Sequence, residues 1–486
     1  MKRKVIYRII AFLVLVVLII GSTIKLNSLF QDKEYGSVNQ FKSFYAQKEN
    51  TIDVLNVGSS RVFCNIDPNA MWENYGISAF DLATSTQTIT YSYHAIKEAL
   101  KTQKPKVIFL EYSQILKDDE FPGDFQIEHL FGGMKFSANK IKGVIDHNDK
   151  SKIPDYLFDI SLTHTRYNLI NKDSFVSEQY ASHPTTGLIC NKGEAEYTHN
   201  VFFEGLPEDY TIIDTKLTER VKSDIDRIYD YCNENQVNLV MVWTPDINRT
   251  QYPEIVNYFN EKGIEHIDCN DYYEEMGLDP SRDFIEEGHL NLYGAMKVGA
   301  FLGQYAAGKF NLEDHRGDEN YSSWDDALKY RDQHLCDVRL KGETGLGYFF
   351  DYFPNENYIV AVSLIGDYYS QFVGQEEVLL KVGCNHDTFT KGGTFVSQSD
   401  KVYYYGNADS PKWTEDIGNR IFTVYTDEEG TTRIVIDGRD YTVLNENGNP
   451  IKNGIQIIVY NKLKEKVIDA VAFDADRDYA ITRNEE

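Results

Sequence analysis

Cysteine and positive charge are both scarce in this chain, and each shortage rules something out. The 486 residues carry six Cys (Cys64, Cys190, Cys232, Cys269, Cys336, Cys384), widely scattered, with no C-x-x-C pair and no metal-like His/Cys spacing. A disulfide-dense scaffold is excluded, and buried thiols with one or two bridges at most are expected. No metal and no cofactor are expected, since P-loop, dinucleotide-fingerprint and EF-hand spacings are all missing. Lys and Arg number 49 against 75 Asp and Glu, a net charge of −26, which leaves no basic patch for binding nucleic acid. The same charge repels anionic lipid surfaces, so membrane contact has to come from an inserted segment. Internal repeats are absent as well. What is plentiful is ordinary globular material, 42% hydrophobic and 26% charged, enough at this length for a large core and two to four domains. The 34 Tyr suit β-rich surfaces and carbohydrate-facing clefts.

An inserted segment stands at the N-terminus. Lys2, Arg3, Lys4 and Arg8 lead into residues 9–20, an unbroken apolar run. From residue 5 to residue 24 is about 20 residues, roughly the length of a membrane-crossing helix. The leading positive charges predict a cytoplasmic tip and an exported body. A cleaved signal peptide is the rival, because Gly21, Ser22 and Thr23 are small, but no Ala-x-Ala-like site follows. The expectation is a retained anchor over 1–25, followed by a polar stalk over 26–50.

From Thr51 onward, apolar strands alternate with helical patterns. Strands are expected at 52–57, 78–83, 106–111, 238–243 and 263–268, and helices at 91–100, 217–232 and 254–262. In the second helix Leu217, Val221, Ile225, Ile228 and Cys232 share one face. Such alternation predicts an α/β domain over 51–310 built on a mostly parallel sheet. Residues 118–214 are less regular and read as an insertion over that core. The charged stretch 311–340 reads as a linker. Residues 341–486 read as a separate β-rich domain, with strands expected at 358–364, 378–382, 402–405, 421–425, 433–436, 455–460 and 467–473.

The residues that carry chemistry lie far apart in sequence. At Val57-Gly58-Ser59-Ser60 a strand runs into a tight turn. That geometry lifts the Ser60 hydroxyl off the carboxyl end of a parallel strand, where α/β folds place their chemistry. Downstream lies Asp283-Phe284-Ile285-Glu286-Glu287-Gly288-His289-Leu290-Asn291. A serine hydroxyl needs a base to take its proton, and the base needs to be held. An acid three residues before a His can bond the ring nitrogen that faces away from the serine. Glu286 holds that position before His289, and Asp283 is a second candidate. A loop His that caps the helix beginning near Leu292 is the plainer alternative.

Residues 51 to about 305 resemble the SGNH (GDSL-type) hydrolase superfamily, in particular its membrane-anchored bacterial members of the DltD-like and alginate O-acetylation kind. Gly58-Ser59-Ser60 looks like the first block, Ala79-Phe80-Asp81-Leu82-Ala83-Thr84-Ser85-Thr86-Gln87 like the second, and Glu286-Glu287-Gly288-His289-Leu290-Asn291 like the last. The resemblance implies an SGNH-type three-layer α/β/α parallel sheet, with Ser60 as nucleophile, His289 as base and Glu286 as orienter. It also implies a membrane-bound O-acyltransferase partner that brings acyl groups across the bilayer. Three positions depart from the pattern. The acid is Glu rather than Asp, the second block lacks its oxyanion Gly, and Glu111-Tyr112-Ser113 replaces the third block's Asn. Backbone amides of Ser60 and of the Ala83–Thr84 turn then become the expected oxyanion donors, and losing one donor typically costs roughly 10²- to 10³-fold.

Other residues weigh less. His164 and Arg166 read as an anionic-substrate contact or a structural ion pair, and Gln87 as a site-lining residue or a helix cap. His94 and His129 read as structural. Residues 455–461 and 467–474 resemble strands of the interleukin-like EMT-inducer domain, which implies binding of glycans or partner proteins; Tyr403, Tyr404, Tyr405 and Tyr425 would stack on sugars or pack between strands. The expected activity is that of an exported, membrane-anchored acyl esterase or O-acyltransferase. Its substrates would be an acyl donor and a cell-envelope polysaccharide or teichoic acid. A catalytically silent envelope scaffold is the alternative.

Overall fold

The computed structural model describes residues 2–30, 36–117, 130–147, 153, 157, 192, 197–353, 355–366, 377, 380–382, 393–399, 401–445 and 447–484. The chain divides into two compact units, Met1–Arg331 and Asp332–Glu486. The first is built on five strands: β1 (Val54–Gly58), β2 (Ala79–Ala83), β3 (Val107–Glu111), β4 (Asn238–Trp243) and β5 (Glu265–Asp268). They lie in the order β2-β1-β3-β4-β5, all parallel. Their side chains alternate between two cores. Leu55, Val57, Ile108, Leu110, Leu239 and Met241 enter one core, while Val54, Val107, Phe109, Val240 and Val242 enter the other. The first core is closed by helices Ile89–Ala99, Glu219–Glu234 and Pro253–Lys262, through residues such as Ile96, Ile225 and Phe259. The second is closed by Leu292–Phe310 through Val298, Leu302 and Ala306. Both faces are therefore covered by helices, as the near-continuous apolar strands require. This strand order has its switch point between β1 and β3, and the crevice outside their carboxyl ends is where such sheets place ligands.

Two expectations about the flanks need correction. The segment expected as a polar stalk contains the helix Gly36–Ala46, whose Phe41 and Phe44 are fully buried in the first core. Its polar composition concealed an amphipathic pattern of two aromatics three residues apart. The segment expected as a linker holds the helix Ser322–Gly342. Within the first unit Trp324 is buried and donates to the Ala79 carbonyl at 3.0 Å. Arg331 is buried between Asp67, at 2.8 Å, and Glu73, at 2.7 Å. A charged residue of the stretch that reads as a linker is there spent on carboxylate partners. The expected insertion at 118–214 lies largely outside the described residues.

The helix Lys2–Phe30 contains a span, Lys4–Leu26, of 23 residues with mean hydropathy 2.7, long and apolar enough for a membrane crossing or for a signal sequence. Cys64, Cys232, Cys269 and Cys336 are free thiols, the first three buried; Cys190 and Cys384 lie outside the described residues.

The second unit is β-rich. Six antiparallel strands follow the order Lys401–Gly406, Gly393–Gln398, Tyr358–Ile365, Gly454–Asn461, Lys466–Asp474, Ala480–Arg483. A second antiparallel sheet joins Trp413–Ile417, Arg420–Thr426, Thr432–Ile436 and Arg439–Asp440. The two sheets share a core that includes Ile359, Ala361, Ile458, Phe422, Val424 and Ile434. Phe349, Phe350 and Phe353 cover the other face of the larger sheet. Of the strand expected at 378–382, Leu380 is helical and Lys381 and Val382 lie in a turn. Tyr404 stacks on Trp413 at 4.7 Å, so that tyrosine packs between strands.

Candidate active site

β1 ends at Gly58, whose φ of +155° suits glycine. A Cβ there would lie 2.7 Å from the Glu111 Cβ and 2.8 Å from Val62 Cγ2, so only a glycine lets the chain turn this closely against β3. Ser59 then caps a short helix, Ser60–Phe63, by accepting the Arg61 amide. The Ser59 hydroxyl is buried and donates to Glu111 Oε2 at 2.9 Å. Ser60, the next residue, is half-buried and presents its hydroxyl beyond the strand end.

The histidine comes from a hairpin, Phe284–Glu286 against His289–Leu290, in which Glu286 and His289 are direct cross-strand partners. The three-residue spacing thus works through a bulged hairpin. His289 Nε2 lies 2.7 Å from Ser60 Oγ, and Nδ1 is hydrogen-bonded to Glu286 Oε1. Burial holds the His289 imidazole below its ordinary value; Glu286 pulls it up and Arg61 pushes it further down. At neutral pH the ring is therefore largely unprotonated and able to accept the Ser60 proton. Glu286 is 63% exposed, so its carboxylate orients the ring in a wet setting rather than a dry one.

Asn65 fixes the hairpin to the serine turn. Its Nδ2 donates to Thr244 Oγ1 at 3.0 Å and to the Gly288 carbonyl at 3.1 Å, and its Oδ1 accepts the Leu290 amide at 2.9 Å. Nothing in the sequence singled out Asn65, because its partners, a threonine hydroxyl and two backbone groups, are remote in the chain. Asp246 was also missed, though its place just past the carboxyl end of β4 was a usable signal. It accepts from Trp243 Nε1, Thr250 Oγ1 and the Asn248 amide, and so shapes the loop beside the site.

The other expected residues fall as follows. Asp283 is buried and bonded to Lys297 Nζ and to the Asp279 amide, away from the imidazole. The Thr84 amide is spent on the Gly58 carbonyl at 3.3 Å, and Ala83 is paired with Gly58 inside the ladder. Of the expected oxyanion donors, the Ser60 amide is left with no acceptor among the described residues. Gln87 is buried, accepting from Thr84 Oγ1 and donating to Ser92 Oγ, so it braces the start of helix Ile89–Ala99. His94 is buried between Asn139 and Asp146. His129, His164 and Arg166 lie outside the described residues. Glu111 stands at the end of β3 and takes hydrogen bonds from Ser59, from the Ser113 hydroxyl at 3.1 Å and from the Ser113 amide at 2.7 Å. Among the described residues, no group of three His, Cys, Asp or Glu is placed to hold a metal ion.

The arrangement brings together a serine hydroxyl, a neutral imidazole, a carboxylate on the far ring nitrogen and an open backbone amide, the parts needed to form and break an acyl ester. No protein-family model matches this chain, and neither does any curated protein, so what the site does is read from its geometry.

Proposed function

We propose that the chain is an SGNH-like serine acyl esterase or O-acyltransferase, held at the outer face of a membrane by its N-terminal helix and acting on cell-envelope polysaccharide or teichoic acid. The observation that carries this reading is the 2.7 Å approach of His289 Nε2 to Ser60 Oγ, with Glu286 on the other ring nitrogen. Ser60 Oγ attacks the acyl carbonyl while its proton passes to His289 Nε2. The oxyanion is met by the Ser60 amide, and Glu286 stabilises the imidazolium. Collapse returns the proton from His289 to the leaving alcohol and leaves an acyl-Ser60 ester. A sugar hydroxyl or water then gives its proton to His289 and attacks that ester, and His289 returns the proton to Ser60 Oγ as it leaves. A membrane-bound O-acyltransferase is the partner that such a route calls for as acyl source.

One observation favours a second reading, a catalytically silent envelope scaffold. Thr84 contributes no free amide, and Glu111 stands where the resemblance calls for an Asn donor. The two readings separate on p-nitrophenyl acetate turnover and fluorophosphonate labelling of the chain from Leu26 onward. Wild type should be labelled at Ser60 and turn over the ester, and Ser60→Ala and His289→Ala should lose both. Equal background turnover in all three, with Ser60 unlabelled, would leave the scaffold.

A further inference from the structure

β1 and β2 are apolar except at one rung of their ladder, where Asn56 stands opposite Asp81. Both side chains are fully buried. Asn56 Nδ2 donates to Asp81 Oδ1 at 2.7 Å. The remaining atom of each group, Asn56 Oδ1 and Asp81 Oδ2, has no partner among the described residues. Both of these are oxygens. With Asp81 ionised, two acceptors on groups already joined by a bond would lie in the interior with no donor, each at the full cost of its desolvation.

One proton resolves both. A carboxylic acid has an O–H to give and a carboxamide a C=O to receive it, so a proton on Asp81 Oδ2 closes a cyclic acid–amide pair. The surroundings favour that proton. Burial drives the Asp81 carboxyl well above the ordinary carboxylate range; the Asn56 bond pulls it back and Asp67 pushes it up again. Asp67, at the cap of helix Pro68–Tyr75, is itself paired with Arg331. Cys64, just past helix Ser60–Phe63, is a buried thiol that burial holds neutral. Helix Gly36–Ala46 reaches β2 through Gln40, which donates to the Asp81 carbonyl. Among the described residues no cation is paired with Asp81.

The pair also has a telling place. β2 is the edge of the sheet, with β1 as its only strand neighbour. Just beyond the pair the ladder ends at Gly58 opposite Ala83, with the Thr84 amide on the Gly58 carbonyl. The turn that presents Ser60 starts there.

We infer that Asp81 is a protonated carboxylic acid at neutral pH, giving its proton to Asn56 Oδ1, and that this pair positions the end of β1, and with it Ser60, for His289. Asp81 and Asn56 touch no reacting atom and act through the strand. The positioning role rests on the acyl-enzyme reading above; the proton does not.

Asp81→Asn is the discriminating variant, because a second carboxamide keeps both hydrogen bonds and cannot ionise. With the full chain in detergent at neutral pH, the infrared spectrum of wild type should hold a protonated-carboxyl C=O stretch that Asp81→Asn lacks. Urea titration counts the same proton. Unfolded Asp81 ionises near its ordinary value of about 3.9 while the folded acid keeps its proton, so wild type loses stability as pH rises. Its unfolding constant relative to Asp81→Asn should grow about tenfold per pH unit above that value. No such stretch, with a flat ratio between about pH 5 and 8, would show an ionised Asp81 and overturn the inference. Turnover of p-nitrophenyl acetate tests the positioning. Asp81→Leu, which leaves Asn56 without its partner, should lower kcat roughly 10- to 100-fold with KM little changed, and Asp81→Asn should keep most of it. Should Asp81→Leu fail to fold, the double variant Asn56→Leu/Asp81→Leu, apolar on both strands, should fold and still be slow. Wild-type kcat in the leucine variant that folds, or an Asp81→Asn as slow as it, would overturn the positioning role. A wild type that turns over no ester and takes no label would sink the acyl-enzyme reading and the positioning role together, and the carboxyl stretch would still decide the proton.

Discussion

At the scale of single residues, the imidazole decides how the site responds to pH. Burial keeps His289 below its ordinary value, and a base works only when unprotonated, so kcat/KM should rise with pH along a limb centred below about 6.5 and then level off. Glu286→Gln removes the neighbour that raises the ring's affinity for protons. The limb should therefore move to lower pH, while the plateau falls. That fall should be well short of the roughly 10⁴-fold typical of a buried orienting acid, because Glu286 is largely exposed. A pH–rate profile of both proteins checks it; a limb that moves up would mean that Glu286 does not govern the ring. Ser60, His289 and Glu286 were legible in the sequence, since a turn after an apolar strand and an acid-x-x-His both leave local marks. Asn65 was not, because what it does depends on Thr244 and Gly288, more than 170 residues away in the chain.

At the scale of elements, the sheet was readable and its edges were not. Strands β1 to β4 announce themselves by mostly apolar residues, and strand β4 falls where the pattern put it, whereas β5 has only Ile267 as an apolar mark. The helix Gly36–Ala46 was hidden because only Phe41 and Phe44 of a polar segment mark its buried face, and Ser322–Gly342 because its charged residues obscured buried partners such as Trp324 and Arg331. Arg331 makes this testable. It is buried with Asp67, which also caps the helix Pro68–Tyr75 by accepting the Asn69 amide at 2.7 Å. Arg331→Met should cost about 3–5 kcal/mol, since it strands the Asp67 charge in the interior. Adding Asp67→Asn, which keeps an acceptor for the cap, should recover a substantial part. Urea titrations of the two variants measure both values; a single variant as stable as wild type would show that the pair is dispensable.

At the scale of the whole molecule, charge and the N-terminal helix set the expectation. A chain with a net charge of −26 is repelled by anionic lipid, so a membrane attachment would have to run through the segment Lys4–Leu26. The full chain should stay in the membrane pellet through alkaline carbonate extraction, and a chain starting at Leu26 should be released. N-terminal sequencing that finds a mature protein beginning near Gly21–Thr23 would replace the anchor with a signal peptide. A β-rich second unit was foretold by a crowd of short strand patterns between Gly-, Asn- and Asp-rich turns. Its strands Gly393–Gln398, Trp413–Ile417 and Ala480–Arg483 were missed, because short antiparallel edges mix polar and apolar residues and carry weak periodicity.

The Ser60–His289 contact joins residues 229 apart in the chain. During synthesis the serine emerges long before the histidine. Until the hairpin Phe284–Leu290 forms and Asn65 captures it, Ser60 is an ordinary hydroxyl with no base to take its proton. Long-range closure is slow to fold, so the chain is finished before this serine has its histidine.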